Sequence, residues 1–337
     1  MLTEKDMRNN GDNLMKKEQS LSLEEFFEKT KEDLEKKIRS VIADKEIVTI
    51  LEYGKRLRPL IAQLSFKVCT GGKETPYQYQ RSIEGSVSIE LAHTASLVHD
   101  DIIDKDKERR GKPAFYIREG IPNALLVGHK MLAIGFNLAL SHGDKIAQLY
   151  VDTWDEILNG ELKEVNFNKE EIHNNGNDIS SKSKIFSEYN KIINMKTASL
   201  FASACKAGAM EAEATGPILN ILSDYGREVG LSYQLADDLV DLENGEMIDS
   251  VIIPLLTRLE NKTINDDSLK LKTIRRKLER NKGKIKELYI EEITRHVRKA
   301  EKLSRSDIIP PSPYKELLTM APTFFINAML REIGITI

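Results

Sequence analysis

An all-α domain built round a central cleft is the fold this sequence predicts. Apolar residues recur at spacings of three and four along most of the chain, no stretch alternates as a half-buried strand would, and Gly, Pro and Asn clusters punctuate the periodic runs. In chain order, Ser22-Leu23-Glu24-Glu25 reads as a capping box opening an amphipathic helix with Phe26, Phe27, Leu34, Ile38 and Val41 near one face. Breaks follow at Gly71 to Pro76, Gly120 to Pro122, Asn174 to Asn177, Asn261 to Asp267 and Pro310 to Pro313, and the intervals between them read as helices. One domain is expected over 21–337, behind a flexible N-terminus over 1–20.

Composition narrows the class. The 337 residues carry 50 Lys+Arg against 53 Asp+Glu and a formal charge of -3, so nothing advertises nucleic acid or another polyanion as a partner. At 40% hydrophobic the chain can bury a sizeable core, and neither disorder nor fibre composition fits. No uninterrupted apolar run approaches the ~18 residues of a membrane span, and Met1 to Ser20 is polar, so neither export nor membrane spanning is expected. Cys69 and Cys205 have no companions at metal-ligand spacing, which fits a reducing compartment, and the cytoplasm is the expected location. Residues 261 to 305 hold 15 Lys/Arg against seven Asp/Glu, on what read as two helical pieces. Such a stretch is most often a solvated face; its functional reading is peripheral contact with an anionic membrane surface or with a phosphate site.

Chemistry concentrates in an Asp-Asp-x-x-Asp element that occurs twice. Asp100-Asp101-Ile102-Ile103-Asp104 follows Ile83, Val87, Leu91, Ala95 and Val98, whose spacing lays a buried stripe beneath it. Asp237-Asp238-Leu239-Val240-Asp241 repeats the pattern, with Tyr233 and Gln234 one turn earlier. On a helix the first and last aspartates of each element share a side, which suits a hard, oxygen-seeking cation. A crude independent-site count expects two such elements only ~0.002 times by chance. Gathering like charge twice needs a reason, and Mg2+ is the simplest.

Carboxylate-held Mg2+ usually serves a phosphorylated ligand, so cations are expected elsewhere. Lys55, Arg56 and Arg58 lie within four residues, and Arg109-Arg110 sits just past the first aspartate element; both clusters suit a diphosphate. His93 precedes Asp100 by two turns on the same face, within reach of a second phosphate, although a lone histidine on an apolar helix is as often a core residue. His99 reads as structural. Lys196-Thr197 interrupts the otherwise apolar run from Asn194 to Phe201. A buried ammonium without an anion is costly, so a phosphate partner explains Lys196 better than packing does.

Taken together, Gly54-Lys55-Arg56-x-Arg58-Pro59, the run from His93-Thr94-x-Ser96 to Asp104 with Arg109-Arg110-Gly111, Lys196-Thr197, and Gln234-x-x-Asp237-Asp238-x-x-Asp241 resemble the trans-isoprenyl diphosphate synthases, most of all geranylgeranyl diphosphate synthase. The resemblance runs in order over residues 50 to 245. It implies the isoprenoid-synthase fold, a bundle of long helices round a deep central cavity, usually a homodimer using Mg2+. It further implies that Asp100, Asp101, Asp104, Asp237 and Asp241 hold Mg2+ against an allylic diphosphate, with Asp238 supporting the second cluster. Arg109 and Lys196 would contact that diphosphate, and Lys55, Arg58, His93 and Arg110 would bind isopentenyl diphosphate. Thr197 and Gln234 would aim oxygen dipoles at the transient carbocation while apolar walls exclude water.

The sequence departs from the family pattern after Asp241. Leu242-Glu243-Asn244-Gly245-Glu246 lacks the usual lysine loop, a role that Lys262 or another base from the downstream helices would have to fill, and His129 follows Gly128 where aspartate is common. The ending from Pro310 onward also differs from the usual family terminus. In this family the tunnel floor is often the residue five before the first aspartate, ~7.5 Å down the helix axis at ~1.5 Å per residue. Here that is Ala95, followed by Ser96. Alanine leaves the route open, so a product of twenty carbons or more is expected, geranylgeranyl diphosphate first, unless Met131, Leu132 or Phe136 closes the tunnel from a neighbouring helix. A terpene cyclase would replace the second aspartate element with a mixed metal site. A non-catalytic regulatory subunit, the alternative reading, would typically lose aspartates, and all six are present.

Overall fold

Local chemistry sets the helix ends. In the computed structural model, which describes residues 22–52, 54–174, 189–245 and 267–337, Ser22 Oγ accepts from the Glu25 N–H at 3.1 Å and the Glu25 carboxylate accepts from the Ser22 N–H at 2.9 Å. This capping box opens α1 (Leu23–Val41), whose buried face includes Phe26, Phe27, Leu34 and Ile38. After α2 (Lys45–Leu51) and α3 (Leu57–Thr70), Thr75 and Gln78 form a second capping box before α4 (Pro76–Asp104). A hairpin of β1 (Glu108–Arg109) and β2 (Lys112–Pro113) supplies the only strands among the described residues. Its turn residues Arg110 and Gly111 have φ of 54° and 72°, the left-handed pair that a two-residue hairpin favours. Then come α5 (Phe115–Glu119), α6 (Ile121–Ser141), α7 (Asp144–Asn174), a π-helical turn at Asn194–Ala198 leading into α8 (Ser199–Glu211), α9 (Gly216–Asn244), α10 (Asp267–Ser304) and α11 (Pro313–Leu330).

The expected breaks at Gly71 to Pro76, Gly120 to Pro122 and Pro310 to Pro313 separate α3 from α4, α5 from α6 and α10 from α11. From Asp267 onward the basic stretch is one helix rather than two pieces, since a lone Gly283 weakens a helix without ending it. The N-terminus over 1–20, the break at Asn175 to Asn177, the stretch after Gly245 and Lys262 lie outside the described residues.

α8 is the axis of the bundle. Its small residues, among them Ala202, Ala204, Ala207, Gly208 and Ala209, bury it on all sides, so α3, α4, α7 and α9 pack directly against it. A methyl group on Gly226 of α9 would stand 2.4 Å from the Phe201 carbonyl oxygen, so only glycine lets these two helices approach so closely. On α4 the stripe of Ile83, Val87, Leu91, Ala95 and Val98 is at most 4% exposed, which fixes the rotation of the helix and turns Asp100 toward the interior.

α6 departs from the expectation for membrane segments. Over 18 residues its mean hydropathy reaches 1.4 with few charges, so by length and composition it could cross a membrane. Counting uninterrupted runs missed this because His129, Lys130 and Asn137 break the apolar stretch. One face packs on α4, while Leu125, Leu126 and Leu140, together with Val151, Leu158 and Leu162 of α7, stay exposed.

Candidate active site

α3, α4, α7, α8, α9 and the turn before α3 enclose a cavity of about 360 Å³. Lys55, Arg58, His93, Ser96, Asp100, Arg109, Arg110, Lys196, Thr197, Gln234 and Asp237 all line it. The structure thus gathers residues up to 182 positions apart, those at the two ends being Lys55 and Asp237.

The basic wall rests on a buried charge cluster. Arg56, 2% exposed, donates to Glu35 at 2.8 Å, to Glu90 at 2.6 Å and to the Leu51 carbonyl at 2.6 Å. Its φ of 58° turns the chain so that Lys55 and Arg58 line the cavity from either side of it. A Cβ on Gly54 would stand 2.3 Å from Arg56 Nη1, so a side chain there would displace the guanidinium from Glu90. Arg58 donates from Nη1 to His93 Nε2 at 2.9 Å, and its guanidinium carbon lies 4.5 Å over the Phe201 ring. Burial, then the Arg58 and Arg110 charges, push the His93 pKa well below its ordinary value, leaving the neutral imidazole that can accept this bond. Arg58 Nε is buried with no partner among the described residues, a donor that an oxyanion would satisfy.

The acidic wall differs from the sequence expectation in two places. Asp101 is buried and accepts from Arg109 Nε at 2.7 Å, so within the first element it orients Arg109 while Asp100 lines the cavity. Consecutive helical residues point ~100° apart, so the second aspartate cannot face the way the first does. Asp238 is likewise buried, accepting from Tyr189 Oη and from Gln234 Nε2 at 3.0 Å. Both of its oxygens are engaged by these two donors. Burial pushes its pKa up to about 7, against the lowering effect of the Tyr189 and Gln234 bonds. Second, Lys196 does not await a phosphate unpaired: it lies 3.0 Å from Glu161 and pairs also with Glu164. Burial disfavours its charge, but Glu164, Glu161 and Asp100 outweigh that and hold its pKa above the usual lysine value.

Thr197 Oγ1 donates to Gln234 Oε1 at 2.7 Å, so a relay of Thr197, Gln234, Asp238 and Tyr189 fixes both predicted polar residues from behind. The π-helical turn that carries Lys196 and Thr197 is braced by Arg227, which donates to Asn194 at 2.9 Å. Such turns cluster at functional sites. His129, the departure beside Gly128, lies with its ring 5.1 Å from that of His99; a Cβ on Gly128 would collide with the His99 ring.

Among the described residues no three carboxylate or imidazole groups stand close enough to hold an ion as they are. The donor set fits a hard divalent cation all the same. Asp100 and Asp237 come from different helices into one cavity, and Asp100, Asp104, Glu161 and Glu164 surround the single Lys196. Burial, then Glu161, pushes the Asp100 pKa up to about 8, while Lys196 opposes the rise. Asp104 and Asp241 each lie one turn beyond the aspartate that lines the cavity.

Glu161, Glu164, Glu90 and Tyr189 are the partners that sequence reasoning missed. Glu161 and Glu164 share a helix face at i and i+3, a faint signal within a charge-rich helix that reads as ordinary surface. The tunnel assignment also shifts. Ser96 lines the polar cavity and Ala92 a narrower apolar space next to it, whereas Ala95 is fully buried in the hydrophobic core. Ala95 sits a turn from Leu91 and belongs to the stripe that packs α4 into the bundle.

An all-α bundle in which aspartates from two helices and a wall of basic side chains line one cavity defines the class of protein. The chain belongs to the polyprenyl synthetase family, whose model matches residues 41–249. It is 32% identical over 235 residues to a short chain isoprenyl diphosphate synthase of Methanothermobacter thermautotrophicus, covering 66% of this chain and 67% of that one. It is 33% identical over 199 residues to a geranylgeranyl diphosphate synthase of Sulfolobus acidocaldarius, covering 57% and 56%. The latter match spans little more than half of the relative's length. In fold it is similar to a polyprenyl synthase from Caulobacter crescentus complexed with calcium and isoprenyl diphosphate, with a TM-score of 0.71 at 22% identity, covering 91% of this chain and 98% of that one.

Proposed function

We propose that this chain is a prenyltransferase that joins isopentenyl diphosphate head to tail to an allylic diphosphate, giving a trans-polyprenyl diphosphate, with geranylgeranyl diphosphate the favoured product. The observation that carries the reading is one cavity with two chemically distinct walls, one of carboxylates and one of bases. Asp100 and Asp237 line it as carboxylates, and Lys55, Arg58, His93 and Arg110 line it as bases. Two diphosphates in one cavity bring their carbon ends together, and proximity of that kind supplies much of a condensation's rate.

Asp100, Asp104, Asp237 and Asp241 would hold Mg2+, which when bound supplies positive charge to the departing diphosphate. Arg109, held by Asp101, and Lys196, released from Glu161 and Glu164, add direct charge-assisted hydrogen bonds to the same group. Lys55, Arg58 and Arg110 hold isopentenyl diphosphate, with His93 accepting from Arg58 to keep its fork in place. The Gln234 and Thr197 oxygens, fixed from behind by Asp238 and Tyr189, stabilise the allylic cation as its leaving group departs. The double bond of isopentenyl diphosphate then attacks, and transfer of a proton to the released diphosphate completes the elongation. Leu97, Ile157 and Leu200 keep the walls around the reacting carbons apolar and limit water.

The exposed apolar residues of α6 and α7 support a homodimer in which a second copy covers that face. Release of inorganic diphosphate tests the reaction. It should require isopentenyl diphosphate, an allylic diphosphate and Mg2+ together, and release from the allylic substrate alone would indicate hydrolysis or cyclisation instead.

A further inference from the structure

α10 turns one face inward, with Ile285, Tyr289, Ile293, Val297 and Ala300 buried, and packs most of its length along α9. The opposite face is a stripe of charge. Arg276, Arg280, Lys284, Arg295, Arg298 and Lys302 fall on it at steps of three and four once Glu287 and Glu291 fill the middle, and all eight are exposed. At ~1.5 Å per residue the stripe is about 39 Å long, with a trio of bases at each end. The fold also sorts the described bases of this helix by face. Those on its flanks are taken up by carboxylates: Lys282 and Lys286 lie 2.8 and 3.5 Å from Glu243, and Lys299 lies 2.5 Å from Glu228. On the stripe, Arg295 pairs with its neighbour Glu292 at 2.6 Å, while Arg276, Arg280, Lys284, Arg298 and Lys302 have no carboxylate partner among the described residues. A helix that only meets water alternates its signs and laces itself with pairs one turn apart. This one keeps its unpaired bases on a single outward line.

We propose that the α10 stripe is a docking face for an anionic lipid surface. Bases in a row along one side of a helix can all meet a plane at once. A reader of duplex grooves needs a helix bare enough to enter, and α10 is buried along one whole face. Single strands are held by stacking on aromatic side chains, and Tyr289, the only Phe, Tyr or Trp of α10, is buried. The whole chain carries a charge of -3, so attraction comes from the stripe itself and acts within about 10 Å of it at ordinary salt. Glu243, which Lys282 and Lys286 hold, lies two residues past Asp241, so docking sets the aspartate end of α9 about one helix diameter, ~10 Å, from the surface. An apolar-tailed product would then leave beside a bilayer. That consequence rests on the prenyltransferase reading, whereas the docking does not.

Co-flotation of the purified chain with vesicles tests it, using phosphatidylcholine alone and an equal mixture of phosphatidylcholine and phosphatidylserine. The chain should float with the mixed vesicles in about 0.1 M NaCl, stay behind with phosphatidylcholine alone, and leave the mixed vesicles in about 1 M NaCl, where the screening length falls to ~3 Å. Arg276→Gln/Arg280→Gln/Lys284→Gln and Arg295→Gln/Arg298→Gln/Lys302→Gln should each weaken binding at least about tenfold, since a base at an anionic surface contributes roughly fivefold. Arg39→Gln/Lys73→Gln/Lys145→Gln, which removes three exposed bases elsewhere, should leave it unchanged. All the substituted side chains are exposed, so each variant should keep wild-type circular dichroism. No flotation at low salt, equal flotation with phosphatidylcholine alone, or equal losses from the stripe and control variants would overturn the docking. A gel shift of an oligonucleotide that the stripe variants abolish, without vesicle binding, would assign the stripe to nucleic acid instead. Flotation is scored without substrate, so its failure leaves the prenyltransferase reading standing, and a chain that floats but releases no diphosphate leaves the docking standing.

Discussion

Replacing Arg56 by methionine tests the buried charge cluster behind the basic wall. The guanidinium makes three bonds of 2.6 to 2.8 Å, to Glu35, Glu90 and the Leu51 carbonyl. The side chains of Arg56 and Glu90 are only 1% and 2% exposed. Methionine fills most of the volume but leaves the Glu90 carboxylate buried without its cation. Breaking a buried pair in this way costs about 3–5 kcal/mol, far more than the net worth of the pair against an apolar replacement. A chain of 337 residues unfolds with an entropy of roughly 0.7 kcal/mol per degree at ~2.1 cal/mol/K per residue, so Tm should fall by about 4–7 °C. Differential scanning calorimetry of Arg56→Met, Glu90→Leu and the double variant checks this. The double variant should recover most of the loss, because it removes the stranded charge along with its partner. A single-variant Tm within about 1 °C of wild type, or a double variant no more stable than Arg56→Met, would refute the reasoning.

Other consequences follow from the same geometry. Asp100→Ala and Asp237→Ala should each lower kcat by at least about a hundredfold, the scale of losing an electrostatic contact to a developing charge, and a steady-state assay at saturating Mg2+ checks it. Lys55→Ala should raise KM for isopentenyl diphosphate at least several-fold with little change in KM for the allylic substrate, because Lys55 belongs to the basic wall. His93 carries a pH signature. Its folded pKa lies well below 6.5, so the unfolded chain binds a proton near pH 6.5 that the folded chain refuses, and stability should decline as pH falls below that value. Tm measured from pH 7.5 to pH 5 should drop less steeply in His93→Gln than in wild type; parallel slopes would rule out this contribution.

Much of the fold was legible because it rests on local physics. The Ser22 capping box, the Pro-Gly breaks and the α4 stripe each follow from residues within a turn or two of one another. The site was legible where residue type and spacing name a chemistry, as in the aspartate elements and the two basic clusters. It was not legible where the partner lies far away in sequence. Nothing near Lys196 in the chain announces Glu161 and Glu164, 35 and 32 positions earlier, so its charge compensation had to be seen in three dimensions. Nor does an Asp-Asp pair reveal that one carboxylate faces the cavity and its neighbour is tied to Arg109 or Tyr189. The tunnel depended on helix rotation. Ala95 and Ser96 are adjacent in sequence, yet only Ser96 reaches the polar cavity, because the apolar stripe had already claimed the other face. The exposed face of α6 escaped a run-length count for a related reason, since burial of an apolar helix is decided by its neighbours.

The central claim is that one cavity brings an allylic diphosphate and isopentenyl diphosphate together for carbon–carbon bond formation. Its most direct test is to incubate the purified protein with Mg2+, radiolabelled isopentenyl diphosphate and, separately, dimethylallyl, geranyl and farnesyl diphosphates, then resolve the products by chain length. The account predicts incorporation that depends on both primer and Mg2+, with geranylgeranyl diphosphate as the main product. Folded protein that incorporates no label with any primer would contradict it.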